Sequence, residues 1–125
     1  MRILLIEDDE SVAEVLAYAF CADGHETAIA HTGEEGLAYL ARERPDAIVL
    51  DVRLPKLDGV GVLRHIRSVD ATLPVVIMTG VATPGEIAVI RGLGVTEIIE
   101  KPELLKRFGG ALARIAQRAT CQDAT

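Results

Sequence analysis

Tryptophan is absent from the 125 residues, and two Phe and two Tyr are the only aromatic side chains. Proteins that hold single-stranded nucleic acid stack successive bases on aromatic rings, so this chain lacks the side chains for that role. Cations are in the minority too: 13 Lys and Arg against 19 Asp and Glu give a formal net charge of -6. That is the reverse of a nucleic-acid footprint. The two cysteines, Cys21 and Cys121, lie far apart with no metal-type spacing, and reduced thiols are the plain reading. No apolar run approaches the roughly 20 residues of a membrane span. The opening run Met1–Ile6 is too short for the apolar core of a secretion signal. A cytoplasmic location is therefore expected. Linkers, internal repeats and low-complexity segments are also absent.

What is present suits one globular domain. Half of the residues are apolar and 26% are charged, and a chain of this length buries about two-thirds of its unfolded surface. Short apolar runs alternate with helical patterns. Strands are expected at Arg2–Ile6, Glu26–Ala30, Ala47–Leu50, Val75–Met78 and around Ile98–Ile99. The first helix is expected over Ser11–Cys21, with Val12, Val15, Leu16 and Ala19 at three-four spacing and Ser11 and Glu14 as a capping box. A second starts with Thr32 and Glu35 in capping-box positions and stops at Pro45. A third covers Asp58–Ser68, with Val62, Leu63 and Ile66 inward. A fourth runs from Pro84 to about Leu93, behind Thr83 and Glu86. A fifth spans Glu103–Arg118.

Five β-α units in alternation predict an α/β fold, a doubly wound parallel sheet with helices on both faces. Three strands are wholly apolar and belong in the centre; those at 26–30 and 97–100 carry polar residues and belong at the edges. The strand order 2-1-3-4-5 satisfies this.

The stretch "LLIEDDE", residues 4–10, runs from a buried strand straight into four acids. Like charges at that spacing repel, and burial raises the cost. In an open parallel sheet ligands bind beyond the carboxyl ends of the strands, at the switch point of the strand order. Glu7 and Asp8 leave the first strand there and Asp51 leaves the third. Carboxylates suit a hard cation such as Mg²⁺. Thr79 and Lys101 follow the fourth and fifth strands and reach the same edge. A carboxylate among such groups can act as a nucleophile toward phosphorus. Each residue alone has a plainer reading: acids favouring a helix start, Asp51 in an Asx turn, Thr79 as a loop hydroxyl, Lys101 as a solvated ammonium. Those readings do not explain why all of them fall at carboxyl ends of different strands. Asp9 and Glu10 suit the first helix start. His25, His31 and His65 show no ligand spacing and read as surface or boundary residues.

The segments "ILLIEDDE", "IVLDVRLPKLDG", "VVIMTG" and "IIEKP" resemble those of response-regulator receiver domains of two-component signal transduction, the CheY-like superfamily. The resemblance implies a flavodoxin-like (βα)₅ sandwich, with a receiver over residues 1–119 and a flexible tail over 120–125. It implies that Asp51 accepts a phosphoryl group from a histidine kinase or histidine phosphotransfer protein. Mg²⁺, with Mn²⁺ as the alternative, would be held by Glu7, Asp8, Asp51 and the backbone carbonyl of Arg53. Thr79 and Lys101 would contact the phosphoryl group, and Pro55 and Gly59 would shape the loop after Asp51. A cis bond between Lys101 and Pro102 is implied as well. The output partner, or a second copy after phosphorylation, is expected on the face formed by residues 84–118; direct nucleic-acid or membrane binding is not expected. On this reading the chain is a switch that catalyses its own phosphorylation and dephosphorylation, with no outside substrate, and it carries no effector domain.

Three positions depart from the family pattern: Ile98 stands where an aromatic is usual, Arg53 follows the phosphoacceptor by two, and Val81 follows Thr79 by two. With no ring at 98 to rotate, the signal is expected to leave through residues 80–83 and the start of the fourth helix. Two rival readings remain. A phosphatase of the haloacid-dehalogenase type needs a second Asp two residues after the nucleophile, where this chain has Arg53. A pseudo-receiver would act as a protein-interaction module without phosphorylation, and the full set Glu7, Asp8, Asp51, Thr79 and Lys101 argues against it.

Overall fold

The computed structural model describes residues 1–52, 59–79, 83–95 and 97–100. The elements in chain order are β1 (Arg2–Ile6), α1 (Glu10–Ala22), β2 (Glu26–Ala30), α2 (Gly33–Leu40), β3 (Ala47–Asp51), α3 (Gly59–Val69), β4 (Val75–Thr79), α4 (Pro84–Leu93) and β5 (Glu97–Glu100). The helix expected over Glu103–Arg118 and the tail over 120–125 lie outside the described residues. Every strand pair is parallel, and the order is β2-β1-β3-β4-β5, as the strand polarity predicted.

Alternation along the strands divides the interior in two. Ile3, Leu5, Val49, Val76 and Met78 meet Ala13, Leu16 and Phe20 of α1 on one face. Leu4, Ile6, Ile48, Leu50, Val75 and Ile77 meet Val62, Leu63 and Ile66 of α3 and Ile90 of α4 on the other. The inward residues expected on α3 are all fully buried. On α1 the expected stripe is corrected: Val15 is exposed, and Ala13, Leu16 and Phe20 are buried.

Two helix boundaries also differ from expectation. The cap of α1 is Asp9, whose Oδ1 accepts the Val12 N–H at 3.1 Å, and not Ser11 with Glu14. Aspartate caps as well as serine, and Glu7 Oε1 fixes the chain entry by accepting the Asp9 N–H at 3.2 Å. Helix α2 ends at Leu40 and does not run to Pro45. The residue before a proline is disfavoured in helical geometry, and Glu43 is drawn across to Arg2, whose Nη1 donates to it at 3.1 Å. The Thr83–Glu86 capping box behind Pro84 is present in full.

The turn from α3 to β4 is built on Asp70. Its Oδ1 accepts the N–H groups of Thr72 and Leu73, each at 3.0 Å, and its Oδ2 accepts Arg44 Nε at 2.6 Å. The Arg44 hydrogen bond holds this carboxyl down at about 2. A carboxyl depressed on folding contributes stability above its unfolded pKa, near 4, and loses it as pH falls through the folded value. Asp70→Ala should therefore cost about 1–2 kcal/mol at pH 7, as loss of a capping carboxylate does. The gap to the parent should narrow between about pH 4 and 2. Urea unfolding at pH 7, 4 and 3 checks both points; a gap independent of pH would remove the carboxylate from the explanation.

Candidate functional site

The strand order puts the ends of β1, β3 and β4 side by side, with Ile6 paired to Leu50 and Asp51 to Met78. Glu7 continues β1 by one ladder bond, its N–H donating to the Ala30 carbonyl at 3.0 Å. This turns an acid that follows four apolar residues inward. Glu7 and Asp51 are both fully buried, Thr79 is 4% exposed, and Asp8 is exposed to solvent. Glu7, Asp8 and Asp51 each offer a carboxylate oxygen, and the three oxygens lie within 4.8 Å of one another.

Three acids so close, two of them out of water, are a costly arrangement unless a cation compensates them. An octahedral ion with oxygens at about 2.1 Å needs neighbouring ligand oxygens about 3 Å apart and opposite ones about 4.2 Å apart. The observed limit of 4.8 Å lies a little above that range. The donors are all hard oxygens, and exposed Asp8 leaves a side open to water. The set fits a Mg²⁺ ion.

Gly59 holds the start of α3 against this site. Its N–H donates to the Val52 carbonyl at 2.8 Å, and a Cβ there would sit 2.5 Å from the Asp51 carbonyl oxygen and within contact of the Val52 backbone. Thr79 Oγ1 is buried and has no hydrogen-bond partner among the described residues. Ile98 is half-buried, paired with Ile77 across the strands, and packs against the core on the α3 face. Arg53, Pro55, Val81, Lys101 and the Lys101–Pro102 bond lie outside the described residues.

One neighbour of the site was not singled out from sequence. His31 is half-buried, and its Nδ1 lies 3.3 Å from the Glu7 carbonyl oxygen. A carbonyl only accepts, so this contact requires the proton on Nδ1. The ring buttresses the backbone of the first acid. The signal was available: His31 is the first residue beyond β2, as Thr79 closes β4. A strand-end rule applied to all strands would have found it.

The family model for the response regulator receiver domain matches residues 3–112. Response regulator MprA of Mycobacterium avium (strain 104) is 38% identical over 123 residues, which cover 98% of this chain and 54% of that protein. The chain thus spans about half the length of the curated relatives it matches. Among solved structures, the signal receiver domain of a putative Luxo repressor protein from Vibrio parahaemolyticus is 27% identical, with a TM-score of 0.89 over 98% of this chain and 95% of that one. A putative response regulator from Chloroflexus aurantiacus J-10-fl is 30% identical, with a TM-score of 0.78 over 90% of this chain and 97% of that one.

Proposed function

From the premise that this chain belongs to the response regulator receiver domain family, we propose that it is a phosphorylatable switch whose phosphoacceptor is Asp51. The observation that carries the proposal is the meeting of the Glu7, Asp8 and Asp51 carboxylates at the strand ends, two of them fully buried. The donor is a histidine kinase or a histidine phosphotransfer protein. An Asp51 carboxylate oxygen attacks the phosphorus, a P–O bond forms, and the P–N bond to the donor imidazole breaks. The electron pair leaves with the imidazole nitrogen, which takes up a proton. Mg²⁺ held by Glu7, Asp8, Asp51 and the Arg53 carbonyl would offset negative charge on the carboxylates and the phosphoryl oxygens.

The chain's own groups do the positioning. Asp8 sits at the open side, where it admits water and donor. The Thr79 hydroxyl would donate to a phosphoryl oxygen. Lys101 supplies the ammonium that pairs with Asp51 at rest and with the phosphoryl group afterwards. Output passes to a partner through the face that includes α4 and β5.

Incubation with acetyl phosphate and Mg²⁺ should add one phosphoryl group, seen by intact mass and lost on hydroxylamine treatment as an acyl phosphate. A protein that stays unlabelled under conditions where it binds Mg²⁺ would leave only a protein-interaction module. Metal binding is measured separately. Mg²⁺ at a hundredfold over its Kd should stabilise the fold by about 2.7 kcal/mol. Asp8→Ala should shrink that shift, while its metal-free form melts no lower than the parent because repulsion is relieved. An undiminished shift in Asp8→Ala would put the ion elsewhere.

A further inference from the structure

Asp8 is the acid of the site that faces solvent, so packing does little to fix its carboxylate. Hydrogen bonds set its place through the main chain on either side. After Asp8, the Asp9 N–H donates to Glu7 Oε1 at 3.2 Å, and Asp9 caps α1. Before Asp8, the Glu7 carbonyl accepts from His31 Nδ1 at 3.3 Å. That carbonyl belongs to the peptide that joins Glu7 to Asp8. A peptide is planar, so the oxygen held by His31 sets the plane from which Asp8 departs.

The strand register explains why a side chain takes this part. Ile6 pairs with Ala30, and the Glu7 N–H reaches the Ala30 carbonyl at 3.0 Å. One step further in the same parallel ladder, the donor to the Glu7 carbonyl would be the Thr32 N–H. The chain leaves the register first. Thr32 is the N-cap of α2, and its Oγ1 accepts the Glu35 N–H at 3.0 Å. His31 stands between the last ladder residue and that cap, its own N–H donating to Glu35 Oε2 at 3.0 Å. The residue is half-buried, and its ring supplies the donor in place of the ladder. A side chain without an N–H could not.

We propose that His31 is a positioning residue for Mg²⁺: its Nδ1–H holds the Glu7 carbonyl and so aims the Asp8 carboxylate at the ion. His31 itself touches neither the ion nor the phosphoryl group in this scheme. The hydrogen bond stands on the geometry; its consequence rests on the reading that Glu7, Asp8 and Asp51 hold Mg²⁺. Partners that orient metal ligands from outside the coordination shell carry about 10–100-fold in affinity. His31 acts on one ligand through one peptide, so the lower end of that range is expected.

The test is Mg²⁺ titration calorimetry on the parent and on His31→Ala, His31→Asn and His31→Gln. The amide nitrogen of asparagine is bonded to Cγ, as Nδ1 is, whereas that of glutamine lies one carbon further out. His31→Ala and His31→Gln should bind Mg²⁺ about tenfold more weakly than the parent, and His31→Asn should recover most of the loss. The Glu7 carbonyl carbon resonance, measured without metal, should move in His31→Ala and stay near the parent position in His31→Asn. A purely structural role would lower metal-free stability without separating His31→Asn from His31→Gln in affinity. Parent-like affinity in His31→Ala would overturn the proposal, as would equal losses in all three variants. Should His31→Ala not fold, His31→Asn and His31→Gln carry the comparison. A parent that binds no Mg²⁺ would sink the metal reading and the proposal with it; a Glu7 resonance indifferent to residue 31 would sink the positioning alone.

Discussion

The Asp51→Asn protein is expected to take up no phosphoryl group from acetyl phosphate under conditions that label the parent fully. An amide of nearly the same shape replaces a carboxylate that is fully buried at the end of β3. The fold should survive, because the β3 ladder is made by backbone groups. The substitution also removes one of three clustered carboxylates, so the Mg²⁺-dependent stabilisation of the protein should fall. A cooperative melt without Mg²⁺ in a protein that takes up no label separates lost chemistry from lost structure. Intact mass and thermal melts on the same samples read both. Full labelling of Asp51→Asn would assign the phosphoacceptor to another residue.

Gly59→Ala should be the most damaging of single-methyl additions near the site. The new Cβ would meet backbone, the Asp51 carbonyl and the Val52 Cα region, and neither can rotate away as a side-chain tip would. Overpacking of this kind costs about 1–3 kcal/mol where side chains can yield, and more is expected against a central strand. The damage should extend to function, because relief requires shifting the residue that carries the Asp51 carboxylate. Gly36→Ala is the control. Its Cβ would meet only the Ile6 side chain, which has other rotamers. Urea unfolding should show Gly59→Ala at about 3 kcal/mol or more below the parent and Gly36→Ala much less affected. Equal losses at the two glycines would mean that the backbone after Asp51 yields more readily than this packing implies.

The sheet was legible in sequence because parallel strands buried on both faces must be apolar throughout. Residues 3–6 of β1, 47–50 of β3 and 75–78 of β4 meet that condition. Glu7, Asp51 and Thr79 were legible for a related reason: a polar residue directly after such a run can only lie at the strand's end. The inward face of α1 was less so. Val12, Val15, Leu16 and Ala19 make one apolar stripe and Ala13, Leu16 and Phe20 another, and only packing against the sheet selects the second. The end of α2 depended on Arg2, forty-one residues from the Glu43 carboxylate it captures. His31 was less obvious, because its partner is a main-chain carbonyl and only its place directly after β2 marks it.

The bonds of Arg2, Glu43, Asp46, Arg44 and Asp70 all gather where the strands begin, while the acids of the site gather where they end. The two ends are joined by apolar strands that carry no charge between them. Substitutions of these side chains at the first end should therefore alter endurance without altering signalling, whereas those at the second reach the chemistry and, as at Gly59, the stability too. A lineage of such proteins can drift in thermal tolerance through one rim of the molecule while its chemistry is inherited intact at the other. An engineer can work on the first rim with little regard for its opposite.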